Sequence, residues 1–163
     1  MEKKIIIING TGGAGKDTFV SFCPEIEKVL NISTVDKVKE AAAILVGWNG
    51  EKDEVSRKLL VDLKQLSIAY NDAPTKYICS MSEKFKGSDD NIMFIHIREA
   101  EEIEKAKKLL NAKTLLITNP RVQLITSNDS DGKVNEYKYD YYIENDGTLE
   151  DLKEKAKNFV EGL

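Results

Sequence analysis

Residues 4–18 read KIIIINGTGGAGKDT, in which a short apolar run is followed at once by a glycine-rich loop. The pattern GxxxxGK is complete from Gly10 to Lys16, and a helical pattern starts at about Gly15. Glycines allow the positive φ angles that let successive backbone N–H groups point at phosphate oxygens, and a helix N-terminus adds partial positive charge. The stretch therefore predicts a buried strand, a phosphate-binding loop and a helix.

The predicted loop would hold a nucleoside triphosphate, because the lysine of this pattern brings a full positive charge to the β and γ phosphates. The residue after that lysine is Asp17, where the pattern has Ser or Thr, so Thr18 becomes the nearest hydroxyl for Mg²⁺. Asp17 either contacts the metal through water or favours the helix N-terminus by its charge, and the sequence leaves both open. The predicted nucleotide ligands are Gly10, Thr11, Gly12, Gly13, Ala14, Gly15, Lys16, Asp17 and Thr18, with the last two as metal ligands.

Length and composition limit what else the chain can be. A chain of 163 residues predicts one domain, 1–163, and a net charge of −4 argues against a nucleic acid polymer as partner. No apolar run is long enough for a membrane span or a signal peptide, so we expect a cytoplasmic protein without a membrane partner. Cys23 and Cys79 form no CxxC and His96 is the only histidine, which excludes a zinc-ligand spacing and favours reduced thiols.

Hydrophobic periodicity predicts an α/β fold with three layers, α/β/α, around a parallel sheet. The first and third strand candidates are continuous apolar runs, as expected of central strands that helices cover on both faces. The five predicted strands are Lys4–Asn9, Ile32–Val35, Ile92–Ile97, Thr114–Thr118 and Tyr141–Glu144.

Helical patterns fill the intervals between these strands. Thr148 and Asp151 form a capping-box signature at the start of a last helix, Pro74 suits the start of a helix that ends before Gly87, and Pro24 should break the helix that begins near Gly15. Another helix carries an apolar stripe with spacings of three and four, which predicts a core-facing surface. That stripe consists of Val55, Leu59, Leu63, Leu66 and Tyr70.

The run Gly15–Thr18, GKDT, resembles the P-loop nucleoside-monophosphate kinase-like superfamily, and within it the deoxynucleoside monophosphate kinase branch. The chain is more loosely similar to dephospho-coenzyme A kinase and to animal-type phosphomevalonate kinases. The resemblance is strongest over residues 4–20 and continues through VDKVKEAA at 35–42, RKLL at 57–60 and IRE at 97–99 with Glu102. It implies the P-loop NTPase fold, a five-stranded parallel sheet of order 2-3-1-4-5 with helices on both sides.

The resemblance also implies an activity, the transfer of the γ-phosphoryl group of ATP, with Mg²⁺, to a small phosphorylated acceptor similar to a nucleoside monophosphate. Such transfer needs positive charge around the moving group, which Lys16, Arg98 and Arg121 can supply. The acceptor would be bound by the helical segment 36–90, and residues 119–136 would form a short lid. The predicted acceptor ligands are Asp36, Lys39, Arg57 and Arg98, although Asp36 is equally well explained as a helix N-cap.

Two departures from the family pattern support an alternative function. His96 stands where the family has an acid at the end of the third strand, and we expect it to be a hydrogen-bonded histidine in the core or at the site edge. The lid offers only Arg121 and Lys133 as cations. The alternative is therefore a catalytically weak or inactive nucleotide-binding sensor. The identity of the acceptor and the oligomeric state are not determined by the sequence.

Overall fold

A computed structural model describes residues 2–122 and 133–163. Its strands form one sheet of order β2-β3-β1-β4-β5, in which all four neighbouring pairs are parallel. Both the fold class and the strand order are therefore as predicted from the sequence. The strands are β1 (Lys4–Asn9), β2 (Val29–Ser33), β3 (Ile92–His96), β4 (Lys113–Thr118) and β5 (Tyr141–Glu144).

Helices cover both faces of this sheet. Ile6 and Ile8 of the central strand β1 face a core shared with α1 and α6, whereas Ile7 faces a core shared with α4 and α5. This alternation gives the three-layer arrangement, since neighbouring residues of a strand point to opposite faces. The helices are α1 (Lys16–Phe22), α2 (Asp36–Val46), α3 (Glu54–Asn71), α4 (Ala73–Lys86), α5 (Ala100–Leu110) and α6 (Leu149–Glu161), with a 3₁₀ turn at Cys23–Glu25.

The first and last helices pack against each other on one face of the sheet. The rings of Phe19 in α1 and Phe159 in α6 meet edge to face, with centroids 5.8 Å apart. Lys153 of α6 pairs with Glu25 just beyond α1, at 2.7 Å. The start of α6 has the predicted capping box: Thr148 and Asp151 each accept a hydrogen bond from the other's backbone N–H.

The prolines mark helix limits as predicted. Helix α1 ends at Phe22 and Pro24 lies in the 3₁₀ turn, while Pro74 lies in the first turn of α4, which ends just before Gly87.

Strand β2 was predicted too late in the chain, because it ends at Ser33. The backbone N–H of Ser33 donates to Asp36 at 2.9 Å, and this hydrogen bond turns the chain into α2.

The predicted core-facing stripe on α3 is wrong. Val55, Leu66 and Tyr70 are 80%, 67% and 88% exposed, and only Leu59 and Leu63 of the stripe are half-buried. The reason is that α3 packs mainly against α2 and α4, so no sheet face covers the stripe. We call Asp36–Asn71 the α2–α3 arm; its exposed large apolar side chains are Ile44, Leu45, Val46, Val55, Val61, Leu66 and Tyr70.

Among the helices of the described ranges, none is long and apolar enough to cross a membrane. Both cysteines are free thiols in the structure, Cys23 in the core and Cys79 half-buried. Burial raises the pKa of the Cys23 thiol to about 12, so this thiol is protonated at neutral pH.

Candidate active site

The glycine-rich loop occupies the carboxyl edge of the central strand. It joins β1 to α1. The φ angles of Gly13 and Gly15 are +79° and +94°, values that residues other than glycine rarely adopt. Within the loop, the backbone N–H of Ala14 donates to the carbonyl of Thr11 at 3.1 Å. Lys16 is the first residue of α1 and is half-buried. The predicted strand, loop and helix are all present, with the loop where ligands of open α/β sheets bind.

The loop is held from the β4 and β5 side of the sheet. Gly10 is buried so closely against β4 that a Cβ atom would lie 2.8 Å from the carbonyl oxygen of Ile117. Asn145, directly after β5, donates from Nδ2 to the carbonyl of Ala14 at 3.1 Å. Asn145 is not among the residues predicted from the sequence, although its position at the carboxyl end of a predicted strand was a signal for it.

Asn9, a buried asparagine at the end of β1, connects the loop to the end of β3, the strand on the other side of β1 from β4. Nδ2 of Asn9 donates to the carbonyl of Arg98 at 3.1 Å and to the hydroxyl of Tyr139 at 3.0 Å. Its Oδ1 accepts from the N–H of Gly10 at 2.9 Å. These hydrogen bonds fix the start of the loop relative to the end of β3. Asn9 is not among the predicted site residues either, although a polar residue at the end of an apolar strand was the signal for it.

His96 ends β3 and faces the loop. Its Nε2 lies 2.8 Å from Oδ1 of Asn31 on β2, and its Nδ1 lies 3.9 Å from Oδ1 of Asp17. Burial, together with the positive charge of Lys16, lowers the pKa of the imidazole to about 4, so His96 is neutral at pH 7. A neutral nitrogen base therefore stands where the family pattern has a carboxylate.

Charged side chains from two helices lie on the same edge of the sheet as this imidazole. The charges that act most strongly on His96 belong to Lys16 and Asp17 of the loop helix and to Asp36 and Lys39 of α2. These four residues were all predicted as site residues from the sequence. They come together because β1 and β3 are neighbouring parallel strands and α2 follows β2 at the same edge.

Asp36 is not the N-cap of α2, as one of the two sequence interpretations had it. It is the first residue of α2 and Val35 holds the N-cap position, so the N-cap interpretation is off by one residue. Its Oδ2 accepts from the backbone N–H of Ser33 at 2.9 Å and from the hydroxyl of Tyr77 on α4 at 3.0 Å. These two donors orient the carboxylate. Burial and the neighbouring Asp36 carboxylate raise the pKa of Tyr77 to about 12.

The three predicted arginines differ in their surroundings. Arg98 is exposed just beyond the end of β3, beside the loop that Asn9 holds. Arg57 is exposed in α3, where its charge acts on the Asp53 carboxylate at the helix N-cap. Arg121 donates from Nη2 to the carbonyl of Gly147 at 2.7 Å, so its guanidinium lies against the loop between β5 and α6.

The predicted lid, 119–136, falls mostly on residues 123–132, which lie outside the described residues. Beside the phosphate loop, the described residues form a cleft of about 310 Å³ at the carboxyl ends of β4 and β5. Its lining mixes apolar, amide, hydroxyl and carboxylate side chains. The cleft is lined by Thr11, Ile117, Thr118, Asn119, Pro120, Val122, Asn135 and Glu144.

The donor atoms near the loop suit a metal ion that arrives with a nucleotide. Asp17 contributes a carboxylate and Thr18 a hydroxyl, both hard oxygen ligands of the kind Mg²⁺ binds. Among residues 2–122 and 133–163, no three His, Cys, Asp or Glu side chains are grouped closely enough to hold a metal ion. The remaining ligands of a cation at this place would be phosphate oxygens or water.

No protein-family model and no curated protein matches this chain. Solved structures do match along nearly its whole length. Dephospho-CoA kinase from Campylobacter jejuni is 17% identical with a TM-score of 0.59, covering 98% of this chain and 97% of its own. TT1252 from Thermus thermophilus is 20% identical with a TM-score of 0.56, covering 100% and 99%. Shikimate kinase from Aquifex aeolicus is 14% identical with a TM-score of 0.50, covering 97% and 96%.

These similarities, together with the sheet order and the glycine-rich loop, show the class of fold. The chain has the P-loop nucleoside-monophosphate kinase-like fold, which it shares with the dephospho-CoA kinase and the shikimate kinase named above. The resemblance seen in the GKDT run is thereby confirmed at the level of the fold.

Proposed function

We propose that this protein is an ATP-dependent kinase that transfers a phosphoryl group to the phosphate of a small acceptor similar to a nucleoside monophosphate. The observation that carries this proposal is the cluster around His96. There, Oδ1 of Asp17 in the loop helix lies 3.9 Å from Nδ1 of His96, and the carboxylate of Asp36 in α2 accepts from the N–H of Ser33, the β2 residue that pairs with His96. A donor phosphate on the loop and an acceptor near α2 would thus meet at one edge of the sheet.

The donor side would consist of the loop amides of residues 10–15 and of Lys16. The amides and Lys16 act at contact distance, so a net charge of −4 does not prevent them from binding a triphosphate. The cleft of about 310 Å³ beside the loop is the proposed place of the donor nucleoside. Mg²⁺ bound with ATP would neutralise the charge that develops on the β and γ oxygens.

On the acceptor side, Asp36 is the best-positioned polar group, because the N–H of Ser33 and the hydroxyl of Tyr77 both hold its carboxylate. We assign the acceptor phosphate to Lys39 and Arg98, which lie at the ends of α2 and β3 nearest the loop. Arg57 in the arm is a proposed further ligand, and Arg121 is the proposed cation of the lid segment. The 36–90 segment contains α2, α3 and α4, as expected of a helical acceptor-binding region.

The test is ADP formation from ATP and Mg²⁺ across ribo- and deoxynucleoside monophosphates, dephospho-coenzyme A and other phosphorylated metabolites. We expect a rate that depends on one class of acceptor and that falls at least about 100-fold in Lys16→Ala, since the charge at the transferred group is lost. Lys157→Ala, at an exposed lysine of α6, is the matched control and should keep the wild-type rate. A rate unchanged in Lys16→Ala contradicts the proposal.

A second candidate function, a nucleotide-binding sensor without turnover, is favoured by the neutral His96 at the position of the family's acid. Calorimetry with ATP and Mg²⁺ separates the two. Tight binding that is lost in Lys16→Ala, with no turnover on the whole panel, supports the sensor. Acceptor-dependent, Lys16-dependent turnover rules it out.

A further inference from the structure

Asp17 and His96, the two side chains beside the phosphate loop, both differ from the residues that the family pattern has at their positions. The residue after the loop lysine is the carboxylate Asp17 instead of a hydroxyl, and the strand end carries the imidazole of His96 instead of an acid. Each departure taken alone removes a Mg²⁺ ligand from its expected place. In the structure the two side chains face each other, with Oδ1 of Asp17 3.9 Å from Nδ1 of His96.

The nitrogen of His96 that faces Asp17 is Nδ1, and the hydrogen bond at the other nitrogen, Nε2, determines that Nδ1 carries the lone pair. Nε2 of His96 lies 2.8 Å from Oδ1 of Asn31, and an amide oxygen only accepts hydrogen bonds. The proton is therefore on Nε2, and the lone pair is on Nδ1. Histidines that bind metals characteristically donate their other ring N–H to an oxygen, which fixes the tautomer and the ring orientation. Asn31 provides that oxygen here.

The spacing of the two donor atoms suits a single ion after a small movement of Asp17. Donors at about 2.1 Å from one ion lie about 3.0 Å apart in octahedral and about 3.4 Å apart in tetrahedral coordination. The Asp17 side chain is 90% exposed and can close this gap, whereas the His96 side chain is 13% exposed and is held by Asn31. The imidazole is thus the fixed ligand and the carboxylate the adjustable one.

We propose that Asp17 and Nδ1 of His96 together bind the divalent cation of the nucleotide, and that this pair makes the site prefer a transition-metal ion such as Mn²⁺ over Mg²⁺. The inference rests on the proposed function, because the cation is the one that accompanies the nucleotide. Imidazole nitrogen is a good ligand for transition metals, whereas Mg²⁺ takes oxygen ligands and releases its waters reluctantly. One nitrogen in the ligand set therefore changes the preference without any third protein ligand.

The direct test uses the fact that His96 is the only histidine. Tag-free protein is loaded with Mn²⁺ and a non-hydrolysable ATP analogue whose phosphate bridge is a methylene, and pulsed electron paramagnetic resonance is recorded. We expect nitrogen modulation from a directly bound imidazole, which changes to the ¹⁵N pattern when the protein is made with ¹⁵N-labelled histidine. The labelled protein is wild type, so the result does not depend on the folding of a variant.

Variants then test the preference by calorimetry with Mn²⁺ or Mg²⁺ and the same analogue. We expect His96→Asp to lower the ratio of Mn²⁺ to Mg²⁺ affinity about tenfold, because an oxygen ligand replaces the nitrogen, and Asn31→Ala to weaken Mn²⁺ binding about tenfold. Asn158→Ala, exposed on α6, is the matched control and should bind like the wild type.

The outcomes separate this inference from the proposed function. Analogue binding that requires Lys16, without any histidine modulation from Mn²⁺, overturns the metal site and leaves the kinase proposal standing. Failure of the analogue to bind with either metal overturns both. Histidine modulation together with the altered ratio in His96→Asp supports the site.

Discussion

In the phosphate loop, Gly10 touches β4 and the carbonyl of Ala14 accepts from Asn145 just after β5, so the loop is held near both of its ends. In the α2–α3 arm, by contrast, Val55, Leu66 and Tyr70 point to solvent from a helix that packs mainly on two other helices. The arm is joined to the rest of the molecule by the packing of α3 on α4 and by contacts such as the ion pair of Lys64 in α3 with Glu102 in α5, at 2.8 Å.

The two sides of the proposed reaction therefore differ in how far their backbone is fixed before a ligand binds. The donor side is preorganised, because its backbone is held before any ligand arrives, which lowers the cost of binding. The arm retains apolar surface that no described residue covers. Substitutions that distinguish packed from unpacked positions therefore test whether this contrast holds in solution.

The largest expected difference in the free energy of unfolding is between alanine substitutions of a leucine in the sheet and of a leucine in the arm. We expect Leu115→Ala in β4 to lower the free energy of unfolding by about 3 kcal/mol, since a fully buried side chain leaves a cavity. Leu66→Ala in α3 should change it by less than about 0.5 kcal/mol. Urea denaturation followed by circular dichroism measures both. A loss of more than about 1 kcal/mol for Leu66→Ala would mean that the arm face is covered in solution.

The second largest difference in stability is expected between alanine substitutions of a glycine in the loop and of the glycine that ends α2 in the arm. Gly10→Ala forces a Cβ to within 2.8 Å of the Ile117 carbonyl, and we expect about 2 kcal/mol of destabilisation together with weaker nucleotide binding. Gly47, after α2, has a φ of +68° but open space around it, so Gly47→Ala should cost only about 1 kcal/mol of backbone strain. Thermal unfolding gives both values, and equal shifts would contradict the packing role of Gly10.

Asn145→Ala should have a smaller effect that is specific to the loop. Losing the hydrogen bond to Ala14 should lower stability by about 1 kcal/mol, because the carbonyl loses its partner. We also expect weaker binding of ATP, since the loop is then less well held. Asn158→Ala on α6 is the control. Equal ATP affinity in Asn145→Ala and the wild type would show that Asn145 supports the fold without preorganising the loop.

The smallest effect concerns pH and connects the arm to α4. The pKa of Tyr77 is raised from 10 to about 12, so the unfolded chain loses this proton at lower pH than the folded protein does. The contribution of Tyr77 to stability is therefore complete below pH 10 and is lost as pH rises from 10 to about 12. Between these values, Tyr77→Phe should lose stability less steeply than the wild type. Urea midpoints measured at several pH values across this range give the two slopes, and identical slopes would contradict the assignment.

Much of the fold follows from local pattern. The bounds of β1 and β5 were predicted correctly, and the capping box at Thr148 placed the start of α6, because each is a signal within a few neighbouring residues. The order of the strands came from the resemblance carried by the GKDT run. Periodicity failed on α3: a stripe such as Val55 to Tyr70 reveals an amphipathic helix but not what covers it.

The candidate site was predictable where its residues form one continuous motif. Residues 10–18 lie in a row, and Asp36 and Lys39 follow a strand end. Asn9 and Asn145 escaped prediction because their partners, Tyr139 and Ala14, lie 130 and 131 residues away along the chain. The pairing of His96 with Asn31 depends in the same way on the register between β2 and β3, which sequence pattern alone does not give.

The hydrogen bond between Asn145 and the phosphate loop also bears on biosynthesis. The side chain that holds the loop and the helix α6 that packs on α1 are translated more than a hundred residues after the loop itself. A nascent chain that ends before Asn145 lacks both contacts. We therefore expect the phosphate loop to reach its final conformation only after Asn145 and α6 have left the ribosome, long after the loop itself is made.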